Sequence, residues 1–143
     1  EWGNQQDADW FIRFVDGSCA YNARDNQLYT SLRDREVDDL PLEVYFGANS
    51  SWVLRSEKQI VYSNNLQSNV RSVIDEVVSY PKAYGSVQDV ALGPQREFCV
   101  ISTHGHVWSA SLHPALEGLF SRFAVKQVRL GIHGTFCGIF ENL

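Results

Sequence analysis

Val90-Ala91-Leu92-Gly93-Pro94-Gln95-Arg96-Glu97-Phe98-Cys99-Val100-Ile101 is the stretch that decides how this chain is read. An apolar residue precedes a glycine, four residues follow, and a large aromatic opens an apolar run. The same spacing occurs as Phe46-Gly47 to Trp52 and as Leu130-Gly131 to Phe136, so it recurs after 46 and then 38 residues. Self-similarity at such a period marks a chain built from repeated supersecondary units. Apolar residues alternate before each glycine (Val44 and Phe46, Val90 and Leu92, Val128 and Leu130), which suits one face of a strand, here called A. Gly47, Gly93 and Gly131 are expected to open a turn at positive φ. The aromatic then begins strand B.

Strand B recurs four times, from Trp10, Trp52, Phe98 and Phe136, and carries apolar residues on both faces, as strands covered on both sides do. A second turn follows at Asp16-Gly17, Glu57-Lys58 or His104-Gly105. Strand C is then expected to end in an aromatic and a small or polar residue: Tyr21-Asn22, Tyr62-Ser63 and Trp108-Ser109. The interval between the two aromatics is 11 residues in the first copy and 10 in the others, and the extra residue is assigned to a bulge or a longer turn. Helical periodicity comes next. Leu66, Val70, Val73, Ile74 and Val77 share one face of a helix, and Leu112, Leu116, Leu119, Phe120 and Phe123 repeat the arrangement. The first copy offers Leu28, Tyr29 and Leu32, so a shorter helix is expected there; Pro41 and Pro81 are expected to end the first two helical segments.

The expected fold is mainly β with short helices, in tandem units of an A-B-C meander plus a helix. Their approximate bounds are 1–41, 42–86, 87–124 and a partial 125–143, within a single repeat domain of 143 residues. Trp2-Gly3 is read as a degenerate first A strand. At the level of architecture the pattern resembles propeller-type β repeats, with a glycine turn, an aromatic-led middle strand and an aromatic near the end of the next strand. That resemblance implies closure by pairing of the N- and C-terminal strands. The chain has no Trp-Asp dipeptide and no kelch-type Gly-Gly pair, and helices separate its units, so no functional residue is carried over from a named family.

Composition is that of an ordinary globular chain, at 44% hydrophobic and 20% charged residues. A net charge of −5 argues against a nucleic-acid surface, which needs clustered cations to displace counterions from phosphates, and gives no attraction to an anionic membrane. No apolar stretch has the length of a membrane helix. Cys99 and Cys137 follow the strand-B aromatic where other copies have Phe11 and Val53, so both are expected to be small buried hydrophobes in a reducing, intracellular setting. Asn49-Ser50-Ser51 is a glycosylation sequon in an expected turn, which points the other way.

Chemistry-bearing residues are few. His104 and His106, at i and i+2, could seed a zinc site if His133 approached them, with His113 completing the histidine count. Ser102, Ser109 and Ser111 lie near those histidines and near Cys99, but there is no Gly-x-Ser-x-Gly elbow. Asp34, Glu36, Asp38 and Asp39 read as a solvated acidic loop. Single glycines at repeat turns cannot cradle a phosphate, so no nucleotide is expected; no cofactor or metal is assigned, and no catalytic residue. Trp10, Trp52, Phe98 and Phe136 are expected to form a buried ladder. Trp2, Tyr45, Tyr80 and Tyr84 break the repeat and are expected at the surface. With Trp108 they are the candidate binding residues, since aromatic side chains dominate binding hot spots. The function expected is a non-catalytic module recognising a protein or peptide through loops on one face of the scaffold. The alternative is a carbohydrate-binding repeat protein with a glycan partner, and the weakest reading is a metal-dependent or serine hydrolase around His104, His106 and Ser109.

Overall fold

All four strands expected to begin at an aromatic do begin there. A computed structural model of the chain describes residues 9–35 and 37–142. In chain order its elements are β1 (Trp10–Arg13), β2 (Cys19–Asn22), α1 (Asn26–Arg35), β3 (Pro41–Phe46), β4 (Trp52–Ser56), β5 (Ile60–Tyr62), α2 (Ser68–Ser79), α3 (Pro81–Tyr84), β6 (Val87–Leu92), β7 (Phe98–Ser102), β8 (Val107–Ala110), α4 (Pro114–Phe120), β9 (Phe123–Leu130) and β10 (Phe136–Asn142). They make four antiparallel sheets among the described residues: β1-β2, β3-β4-β5, β6-β7-β8 and β9-β10. The protein is mainly β with four short helices. The pairing of N- and C-terminal strands is not made among the described residues, because β1-β2 and β9-β10 are separate sheets. Trp2, read as part of a first A strand, lies outside the described residues.

The three A-B hairpins share one register. Phe46 faces Trp52 and Val44 faces Leu54; Leu92 faces Phe98 and Val90 faces Val100; Leu130 faces Phe136 and Val128 faces Gly138. Each also slips by one residue at the same place, leaving Leu42, Gln88 and Lys126 as the extra residue of a bulge. The turns differ from expectation. Gly131 is extended at φ −119°, and positive φ falls later, on Asn49, Ser50, His133 and Gly134. What Gly93 and Gly131 provide is room, since a Cβ would collide with the side chains of Glu97 and Thr135 respectively.

The B-C hairpins correct a second expectation. Phe14 N–H donates to the carbonyl of Ser18 and Ser102 N–H to that of His106, so the first and third copies have equal three-residue loops ending in Gly17 and Gly105, both at positive φ. The second copy is the odd one, with a two-residue loop in which Ser56 N–H reaches the carbonyl of Gln59. Tyr21 therefore faces Phe11 and Tyr62 faces Val53, whereas Trp108 faces Val100. Successive strand residues point to opposite faces, so Trp108 is not the counterpart of Tyr21 and Tyr62; Ser109 is.

The helices also depart from their periodicity. α1, expected to be short, has 10 residues, and α4 has only 7, because Phe123 is taken into β9. Pro41 opens β3 and Pro81 opens α3, one residue after α2 ends.

Backbone contacts divide the chain into two compact units. One holds the described residues up to Phe46 with Ser50–Asn64, the other Gly47–Asn49 with the described residues from Asn65 onward. In the first, Leu28 and Leu32 of α1 share a core with Val44, Trp52 and Leu54, against which Phe11, Tyr21 and Val61 pack. In the second, Leu112 and Leu116 share a core with Ala91, Cys99, Ile101, Val125 and Val128, flanked by Phe120, Phe136 and Phe140. Each unit thus has a helix wedged between one face of a sheet and the strand-B aromatic face of the sheet that follows.

The aromatic ladder is therefore buried only where such a layer covers it. Trp52 and Phe98 are buried and Phe136 half-buried, but Trp10 is 40% exposed. Cys99 is buried, while Cys137, on the opposite face of β10 from Phe136, is exposed. Asp39, read as part of a solvated loop, is also buried: its carboxylate accepts from Ser56 Oγ at 2.8 Å, Lys58 N–H at 2.8 Å and Gln59 Nε2 at 3.1 Å, with Arg35 at 3.8 Å. Those donors outweigh the penalty of burial and hold the carboxyl below its ordinary pKa of 3.8.

Candidate functional site

Three of the candidate binding residues meet at one place in the second unit. α2 stops at Tyr80, whose φ of −126° leaves the helix, and Pro81 restarts the single turn of α3. That break carries Tyr80 and Tyr84 to the β7–β8 loop. Tyr84 lies 5.0 Å from His106 and 5.0 Å from Trp108, nearly perpendicular to both rings at 86° and 75°. His106, just before β8, and Trp108, on it, lie 6.0 Å apart and 30° from coplanar. Tyr80 adds an edge-on contact to Tyr84 at 6.5 Å and is itself 59% exposed. Edge-to-face geometry at these distances is the favoured arrangement of aromatic quadrupoles.

Backbone bonds fix the cluster. Thr103 N–H donates to the carbonyl of Ser86, Ser86 N–H to Thr103 Oγ1, and His104 N–H to the carbonyl of Tyr84. The ring nitrogen Nδ1 of His104 lies 3.2 Å from the carbonyl oxygen of Ala83. Gly85, at φ 76°, makes the crossing possible: a Cβ there would collide with Thr103 Oγ1 and the His104 imidazole. Glu76 reaches the Tyr84 hydroxyl at 3.5 Å. Partial burial, followed by the charge of Glu76, pushes the Tyr84 phenol above its ordinary pKa of 10.0, so it stays protonated as a donor.

Tyr45 is not at the surface. It is 5% exposed, and its hydroxyl accepts from Arg55 Nε at 3.1 Å, because it falls at the inward-facing position of β3 opposite Val53. Trp2 lies outside the described residues. The histidines separate into two groups: His113 caps α4, its Nδ1 accepting from Ala115 N–H, and His133 sits in the β9–β10 turn. Among the described residues no three of His, Cys, Asp and Glu gather as a metal site would require. Ser109 pairs with Cys99 and points to the face of β8 opposite His106 and Trp108, so strand alternation separates the serine from the imidazole. Burial, with Asp89 adding to it, pushes the Cys99 thiol up to about 12, which leaves it protonated and unreactive.

The second unit also carries a concavity away from the aromatic cluster. Residues of the β3–β4 turn, the β6–β7 turn and the segment after β8 enclose about 480 Å³, with Asn49, Gln95, Arg96, Glu97 and Ser111 among the lining side chains. Asn49 and Ser111 hold φ of 55° and 59°, a backbone region uncommon for residues other than glycine. Asn65 Nδ2 and Gln67 Nε2 tie the turns down by donating to the carbonyls of Asn49 and Gln95. The sequence signal for this wall was present in the two equivalent turns, but their proximity depends on the packing of neighbouring segments.

Against protein-family models, curated proteins and solved structures alike, the chain gives no match.

Proposed function

We propose that this chain is a non-catalytic binding module for a protein or peptide, with Tyr80, Tyr84, His106 and Trp108 as its contact surface. One observation carries this reading. Aromatic side chains outside the repeated positions are drawn from a helix break and a hairpin into one partly exposed cluster, on a backbone stitched by hydrogen bonds. Rigid aromatics offer large contact area at low entropic cost, which is the composition of a binding hot spot. The scaffold is read as tandem copies of a propeller-like meander; the shared register of three hairpins, bulge included, supports that reading.

The test is selection of peptides from a displayed library on the whole chain, repeated with Tyr84→Ala and Trp108→Ala. Peptides that bind all three proteins equally would refute the assignment. A carbohydrate-binding role is the second reading, supported by the amide, carboxylate, guanidinium and hydroxyl groups around Asn49 and Glu97. A glycan array separates the two: signal lost with Glu97→Gln and kept with Trp108→Ala favours the sugar.

A further inference from the structure

β8 is an outer strand whose free edge is undefended. Ser102 N–H donates to the carbonyl of His106, so Ser102 with His106 and Val100 with Trp108 are the hydrogen-bonded pairs across β7-β8. Alternation then turns the N–H and C=O groups of Val107 and Ser109 away from β7. There, among the described residues, they meet no strand and no backbone or side-chain partner. The opposite edge of the sheet is engaged: Gln88 Nε2 of β6 donates to the carbonyl of Lys126, and the Asp89 carboxylate accepts from Val128 N–H of β9. β8 also carries none of the devices that keep an outer strand from pairing. Val107-Trp108-Ser109-Ala110 has no charged residue and no proline, and its register with β7 is unbroken. Ser109 is exposed, and the chain on either side of β8 lies within the described residues.

We propose that β8 is the docking edge for an extended segment of a partner protein, which adds to the β6-β7-β8 sheet as an antiparallel fourth strand and sets a lysine or arginine against Trp108. The free backbone groups identify the form of the occupant. Donors and acceptors on alternate residues match an extended chain, whereas a helix has its own groups paired internally. The side chains identify its chemistry. Trp108 would oppose a partner residue in a pair without mutual hydrogen bonds, where side chains stand closest. The Tyr84 ring lies 5.0 Å from Trp108, and Glu76 reaches the Tyr84 hydroxyl at 3.5 Å, so aromatic rings and a carboxylate favour a cation at that position. A second copy of this chain would bring the same carboxylate and the same net charge of −5, a poorer complement. The edge continues the Tyr84–Trp108 contact surface proposed above, and the proposal rests on that reading.

The probe is acetyl-Thr-Val-Lys-Val-Thr-amide, titrated into the full-length ¹⁵N-labelled chain. Binding is expected to shift the Trp108 indole and to slow deuterium exchange at the Val107 and Ser109 amides. N-methylation of either valine, which would bond Val107 or Ser109, should weaken binding about tenfold; N-methylation of the lysine, whose N–H points away from β8, should leave it within about twofold. Glutamate in place of the lysine should also weaken it about tenfold. No binding at millimolar peptide overturns the proposal. So do unchanged Val107 and Ser109 exchange in the complex, indifference to N-methylation, and equal binding of the glutamate peptide. Slowed exchange at those amides that grows with protein concentration in the absence of peptide overturns it too, because a second copy is then the occupant. Trp108→Ala separates this mode of binding from the surface beneath it. A peptide lost with Trp108→Ala but bound with free β8 amides removes the strand and keeps the surface; one held at β8 and indifferent to Trp108→Ala removes the surface. The peptide series is read on the wild-type chain, so it decides the case even if that variant fails to fold.

Discussion

Trp10 and Trp52 open equivalent strands, yet Trp10 is 40% exposed and Trp52 is 1% exposed. The difference lies outside both strands: α1 covers the face of β4 that holds Trp52, and no described residue gives Trp10 such cover. Their substitutions should therefore part company. Trp52→Ala should cost about 3–5 kcal/mol, as large-to-small changes in a packed core do. Trp10→Ala should cost under about 1 kcal/mol, as surface changes do. Urea denaturation of both variants checks this, and equal losses would show that Trp10 belongs to the core.

Tyr84 holds three rings together, and aromatic pairs contribute about 0.5–1.5 kcal/mol each beyond burial. Tyr84→Ala should lower stability by about 1–3 kcal/mol and leave Trp108 in a wetter environment. A red shift of tryptophan emission that is absent from the Trp108→Phe, Tyr84→Ala double variant would confirm the source.

At Gly85 two penalties coincide, a backbone at φ 76° and no space for a methyl group. Gly85→Ala should destabilise by about 1–3 kcal/mol and loosen the β7–β8 loop. Faster amide exchange at His104, whose N–H bonds to Tyr84, is the local readout; unchanged exchange would contradict the crossing geometry.

Asp39 and Asp89 make opposite contributions to the pH dependence of stability. The folded-state pKa of Asp39 lies below 3.8, so its contribution is fully present above the unfolded value and is lost as pH falls through the folded one. For Asp89, burial outweighs the bonds from Val128 N–H and Arg129 and raises the pKa, so stability declines as pH rises from about 3.8 through the folded value. Asp39→Asn should flatten the acid limb of a stability profile, and Asp89→Asn should remove the decline above it. Calorimetry from pH 3 to 7 would expose either sign as wrong.

Cys137 is exposed and Cys99 is buried with a pKa near 12. Iodoacetamide at pH 8 should label Cys137 in the native chain and reach Cys99 only after unfolding, as peptide mass mapping would show. Labelling of Cys99 in the native protein would mean that the second core opens readily.

Local chemistry made much of this protein legible. The starts of β1, β4, β7 and β10, the A-B pairing and the bulk of α2 follow from alternation and periodicity, which need only neighbouring residues to act. Loop length was harder to read: the two-residue loop at Glu57-Lys58 and the three-residue loop at Thr103-His104-Gly105 differ by one residue, and that single step put Trp108 on the face opposite its supposed counterparts. Tyr45, set apart because it breaks the repeat, and Asp39, one of an acidic run, depart from expectation for a related reason: the inward-facing position opposite Val53 takes the first inside, and the partners Ser56, Lys58 and Gln59 take the second.

The order of strands and helices and the register of the A-B hairpins were set by the sequence itself, through forces that act over a few residues. Which faces are covered, which cysteine is inert, and whether Tyr80, Tyr84, His106 and Trp108 meet were decided by the tertiary structure, because burial and ring contact depend on surfaces that lie far apart along the chain.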